Sequence, residues 1–140
     1  MEFLSVHITR PSFRPDLVVL SLWGGIDTLS APDLEKNLFS TLEKYSNRLI
    51  LDLKDVDYIS SAGWGVLVMK IKEIRAQKGD IVLAGMRESV REAFDLLEFN
   101  LIIRSYSDVP SAVSMAFAPG PELAALQPLP RGRSYVSWEP

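Results

Sequence analysis

Between Tyr58 and Leu67 the chain reads Tyr58-Ile59-Ser60-Ser61-Ala62-Gly63-Trp64-Gly65-Val66-Leu67, a hydroxyl pair and two glycines between two apolar stretches. Serines at such a junction are chemically addressable. A hydroxyl at the start of a helix accepts a hydrogen bond from a free backbone N–H, and the positive end of the helix dipole favours negative charge there. A phosphate group can sit at that position at little local cost. Gly63 and Gly65 leave the backbone open to close approach by a phosphate or by a second protein. The plainer reading is that the serines only cap a helix and the glycines only let it pack on a strand. Trp64 divides the same way: it either packs under the neighbouring loop or stands exposed as an interface anchor of the type enriched at binding hot spots.

Other chemistries find few candidates in the sequence. His7 is the only histidine, on an outward-facing position of a first strand, and no Gly-x-Ser-x-Gly occurs, so a serine hydrolase has neither base nor elbow. Asp52, Asp55 and Asp57 read as loop solvation rather than a cation site, and no glycine-rich loop ends in the lysine that a nucleotide site needs. The absence of cysteine removes disulfides, thiolate catalysis and cysteine metal sites. No cofactor and no catalysis are expected. A formal charge of -3 carries no basic footprint for nucleic acid, so protein partners are expected instead.

The elements that must position the serines follow from periodicity. Leu4, Val6 and Ile8 alternate with polar residues, and Leu17 to Trp23 reads as a second strand, the two forming an antiparallel hairpin. Gly24-Gly25-Ile26-Asp27 breaks that strand. Ser30-Ala31-Pro32-Asp33 opens a helix with Leu34, Leu38, Leu42 and Tyr45 as its inner stripe. Leu49-Ile50-Leu51-Asp52-Leu53 has the pattern of a central parallel strand, followed by the charged turn Lys54-Asp55-Val56-Asp57. A helix of about four turns then runs to Lys78-Gly79, with Ser60 or Ser61 as its N-cap. Asp80 to Gly85 is a further strand, Glu88 to Leu97 a helix, Leu101-Ile102-Ile103 a short fifth strand and Ser107 to Phe117 a last helix. Strands alternating with helices after an opening hairpin predict an α/β fold, a mixed four- to five-stranded sheet with about four helices.

The 140 residues suit one domain, placed at 1–117, with 118–140 as a proline-rich tail, flexible or loosely docked. Tyr135, Val136 and Trp138 make an apolar cluster within that tail. Neither a signal peptide nor a run long enough to cross a membrane is found, so a cytoplasmic protein without membrane insertion is expected.

Taken together, Gly24-Gly25-Ile26-Asp27, Leu49-Ile50-Leu51-Asp52-Leu53, Tyr58 to Gly65 and Ser89-Val90-Arg91-Glu92-Ala93-Phe94 make the chain resemble the STAS-domain proteins, the anti-sigma factor antagonists of bacterial partner switching. The resemblance runs from about Leu4 to Phe117. It implies that Ser61, which precedes Ala62-Gly63-Trp64-Gly65, accepts phosphate, with Ser60 as the alternative acceptor. It further implies an anti-sigma factor that is also a serine kinase as partner, and a metal-dependent serine phosphatase that resets the switch. Asp27, Ser60, Ala62, Gly63, Trp64 and Gly65 are then the partner-binding positions. The chain departs from the family at Ser60, where Asp is common, at Trp64, where an aliphatic residue is usual, and at Glu98, where Gly is frequent. The alternative function is a structural STAS subunit of a sensory scaffold or lipid-transport complex, with Ser61 only a cap.

Overall fold

The computed structural model describes residues 4–117, and the expected tail with Tyr135, Val136 and Trp138 lies outside the described residues. The apolar run at Leu49–Leu53 forms the middle of the long strand β3 (Arg48–Ile59), flanked on both sides by parallel partners, β2 (Val18–Ile26) and β4 (Asp80–Ala84). Alternate residues serve opposite faces: Leu20, Leu49, Leu51 and Leu83 join one apolar cluster, Val19, Ile50 and Val82 the other. That two-sided burial is why the run shows no polar alternation. On one edge β1 (Ser5–Thr9) runs antiparallel to β2, with Ser5 opposite Trp23 and Thr9 opposite Val19, as the hairpin reading requires. His7 is exposed there, its ring edge-on to Trp23. On the other edge lies the short β5 (Ser105–Tyr106), parallel to β4. The sheet order is β1-β2-β3-β4-β5.

Three helices, α1 (Ala31–Lys44), α2 (Ser61–Ala76) and α3 (Glu88–Leu96), follow β2, β3 and β4 and bury Leu34, Leu38, Leu67, Ile71, Val90 and Phe94 in the larger cluster. The opposite face is covered by α4 (Val109–Met115), through Val109, Ala112 and Val113. This last helix is shorter than the expected Ser107 to Phe117: it starts at Val109, because Asp108 accepts a hydrogen bond from the Ser111 N–H and caps it, and it ends at Met115.

Several sequence expectations are corrected. Gly24-Gly25-Ile26 does not break the second strand but continues β2 to Ile26, and Lys54-Asp55-Val56-Asp57 is not a turn but part of β3, so Asp52, Asp55 and Asp57 stand on a strand and not on a loop. Tyr45 does not continue the inner stripe of α1: it is the C-cap residue and is 44% exposed, with the Arg10 guanidinium over its ring. Leu101-Ile102-Ile103 is not a strand. Glu98 takes a left-handed conformation (φ 61) after α3, and residues Phe99–Leu101 wind into a 3-10 turn in which Ile102 N–H donates to the Phe99 carbonyl. Only Ile103 reaches the core, and pairing with β4 begins at Arg104, whose carbonyl accepts from Leu83 N–H.

Candidate functional site

Past its centre β3 departs from regular pairing. Ser21 faces Asp52 and Trp23 faces Asp55, and Gly24 faces Val56 while Gly25 faces Tyr58, so β3 carries an extra residue at each of two bulges. Bulges bend and twist a strand locally. The strand ends come back into register at Ile26 and Ile59, and the next N–H, that of Ser60, donates to the Ile26 carbonyl at 2.7 Å. The loop carrying Asp27 and the start of α2 therefore leave the sheet side by side, beyond the carboxyl ends of adjacent parallel strands, the edge where open α/β sheets place their sites.

The two serines do different work at this point. Ser60, extended at ψ 171, is the N-cap: its Oγ accepts from Gly63 N–H at 3.2 Å, its carbonyl accepts from Trp64 N–H, and the residue is buried. Ser61 is the first helical residue, is exposed and takes no part in the cap. The choice of cap left open by the sequence thus falls on Ser60. No acidic residue stands in the first turn of α2, so the positive end of its dipole is uncompensated by the helix itself.

Gly63 is held by packing. A Cβ there would come within 2.7 Å of Ile26 Cγ2 and 2.9 Å of Ile59 Cγ2, so only glycine lets the first turn of α2 lie this close to both strand ends. Gly65 differs, for a Cβ on it would meet nothing within 4 Å. It is exposed, one turn beyond Ser61, and Met69 continues the same face at 58% exposure.

Of the two readings left open for Trp64, the structure shows the packed one, and the indole is not an exposed anchor. The indole is 2% exposed, stacked on Phe99 with ring centroids 4.9 Å apart and tilted against Phe94 at 5.9 Å. The first turn of α2 points this side chain inward because Trp64 follows the glycine that faces the strand ends; its neighbours at Ser61 and Gly65 face out. Its Nε1 has no hydrogen-bond partner among the described residues. The residue supports the serine loop from beneath.

Asp27 is exposed but not free to wander. Its Oδ1 accepts from the N–H groups of Leu29 and Ser30, both at 2.9 Å, while its own N–H donates to Ser30 Oγ. The Ser30 N–H bond, aided by the Ser30 hydroxyl and Leu29 N–H, holds the Asp27 carboxyl below its ordinary range. The sequence reading missed Leu29 (73% exposed) and Tyr58 (57% exposed), apolar side chains left in solvent on the Asp27 loop and at the β3 bulge. A leucine inside the polar turn Asp27-Thr28-Leu29-Ser30 was the available signal for the first; the bulge that turns Tyr58 outward leaves none. Among the described residues no cluster of three His, Asp or Glu is placed to hold a metal ion, and no helix is long and apolar enough to cross a membrane.

A mixed sheet with one antiparallel edge, whose second crossover helix starts on a capping serine at the carboxyl edge, is the STAS arrangement. Residues 10–112 match the family model described as STAS domain, and the chain belongs to that family. Within it the chain is similar to anti-sigma factor antagonists. It is 34% identical over 86 residues to the anti-sigma-B factor antagonist of Bacillus subtilis, covering 61% of this chain and 78% of that protein. It is 35% identical over 83 residues to BtrV of Bordetella bronchiseptica, covering 59% of this chain and 72% of that one. The fold is that of SpoIIAA in its unphosphorylated form, with a TM-score of 0.65 at 15% identity over 80% of this chain and 96% of SpoIIAA.

Proposed function

We infer that the chain is an anti-sigma factor antagonist worked by a phosphorylation switch. Unphosphorylated, it binds an anti-sigma factor that is also a serine kinase and so frees a sigma factor. The γ-phosphoryl group of ATP then passes to Ser61 Oγ, ADP and the phosphoprotein part from the kinase, and a metal-dependent serine phosphatase restores the hydroxyl. The observation that carries this reading is the division between the serines: Ser60 is buried in the cap, while Ser61 offers its hydroxyl to solvent at the helix start. The names of the relatives support the role, and SpoIIAA is itself known in a phosphorylated form.

A phosphoryl group adds about −1.5 to −2 charges. Within the free protein the α2 dipole accommodates them. At a closed interface the same charges must be desolvated, and that alone is enough to release a partner without refolding. The partner surface is read as Asp27 and Leu29 on one side and the Ser61, Gly65 and Met69 stripe on the other, with Ala62 between; Trp64 and Gly63 act through packing.

The test is to incubate the protein with its cognate kinase and ATP and to map the phosphate by mass spectrometry in wild type, Ser60→Ala and Ser61→Ala. The expected label sits on Ser61 and is retained in Ser60→Ala. Label that survives Ser61→Ala and vanishes in Ser60→Ala would reverse the assignment.

A further inference from the structure

The corner that joins α3 to β5 leaves four large apolar side chains in solvent within seven consecutive residues: Leu96 at 82%, Leu97 at 54%, Leu101 at 76% and Ile102 at 41% exposure. Single exposed leucines are ordinary, but such a concentration marks a surface that something covers. Asp95 and Glu98 are exposed in the same stretch, and neither has an ion-pair partner among the described residues. The corner also lies where the described chain stops. Arg104 donates to the Ala116 carbonyl at 2.6 Å and lies over the Phe117 ring at 5.4 Å. Arg75 donates to the Ile102 carbonyl and shares Asp80 with Arg104.

Beyond Phe117 the sequence continues to Pro140, and its last ten residues hold Arg131, Arg133, Tyr135, Val136 and Trp138. We propose that Arg131–Trp138 docks on this corner of its own chain. Tyr135, Val136 and Trp138 cover Leu96, Leu97, Leu101 and Ile102, and Arg131 and Arg133 lie against Asp95 and Glu98. The chemistry matches on both counts, apolar against apolar and basic against acidic. Reach is no obstacle, since the chain from Phe117 to Tyr135 can span up to roughly 60 Å. Tethering raises the effective concentration of the segment to about the millimolar range, so a contact too weak to hold a separate partner is occupied within one chain.

The 140 residues include no cysteine, so Ser137→Cys in the 140-residue chain carries a single nitroxide label. Amide signals of residues 96–102 are expected to weaken several-fold relative to those of β1 on the far edge of the sheet. Leu101→Ser, at an exposed position that the core does not need, is expected to restore them. Full intensity at residues 96–102 in the labelled chain, or weakening that Leu101→Ser leaves unchanged, would overturn the proposal. So would weakening of equal size in a mixture of nitroxide-bearing and separately isotope-labelled chains, because the segment would then be landing on a second copy.

Discussion

Replacing Ser60 by alanine removes the oxygen that accepts from Gly63 N–H and is expected to cost about 1 kcal/mol of stability, the usual loss for an N-cap. Ser61→Ala, one residue on and outside the cap, is expected to stay within about 0.5 kcal/mol of wild type. Urea unfolding of the two variants checks this directly, and equal losses would contradict the division of roles. The glycines separate in the same way. Gly63→Ala must push Ile26 or Ile59 aside and is expected to destabilise, whereas Gly65→Ala meets open space and is expected to gain roughly 0.5–1 kcal/mol from reduced chain entropy. If Gly65→Ala also weakens binding to the kinase while raising stability, its absent side chain serves the partner and not the fold. The sequence named both serines but could not say which was the cap, because either hydroxyl can reach an N–H of the first turn; one step of backbone geometry decides it.

At the scale of elements, α2 is tied down by Trp64, stacked between the helix and the aromatic pair Phe94 and Phe99. Trp64→Ala is expected to cost about 3–5 kcal/mol, the range for emptying an aromatic core site, and to lower the melting temperature sharply. A small loss would mean that the indole is not in the core. Glu98 is the complementary case. A non-glycine residue in the left-handed region is strained, so Glu98→Gly is expected to stabilise the α3 corner by roughly 1 kcal/mol in urea unfolding. Both residues stood out in the sequence as departures from the family, yet only the tertiary contacts say what each does. The strands and helices up to α3 were legible because their apolar periods are long, but the far ends of β2 and β3 were not, since Gly24-Gly25 and Lys54-Asp55-Val56-Asp57 look like breakers and instead continue the ladder through two bulges. Leu101-Ile102-Ile103 was not, since three aliphatic residues in a row look alike whether they enter a sheet or wind into a turn. Here the left-handed Glu98 decides for the turn, which leaves Leu101 and Ile102 outside.

At the scale of the molecule, three carboxylates among the described residues link stability to pH. Burial pushes the Asp16 carboxyl up, but the Arg14 hydrogen bond and charge, with Arg48 beyond, outweigh it and hold the group below its ordinary range. Hydrogen bonds from Ser30 lower Asp27, and those from the Ser111 hydroxyl and N–H lower Asp108. All three are depressed on folding, so their contribution is complete above the unfolded value of about 3.9 and is lost as pH falls through the lower folded values. Urea midpoints should therefore drop as pH falls below about 4, and more shallowly in Asp27→Asn, which keeps an acceptor but has no charge to titrate. Identical slopes would contradict the role given to Asp27. The same molecule keeps the Asp27 loop and Ser61 together on one sheet edge, away from the α4 face, so a charge added at Ser61 changes the surface without entering the core. Calorimetric titration of the proposed partner kinase with unphosphorylated protein and with protein phosphorylated on Ser61 tests the proposed switch most directly. Tight binding of the first and at least a tenfold weaker binding of the second is the expected result. Equal affinity for the two, with phosphate verified on Ser61, would contradict the switch.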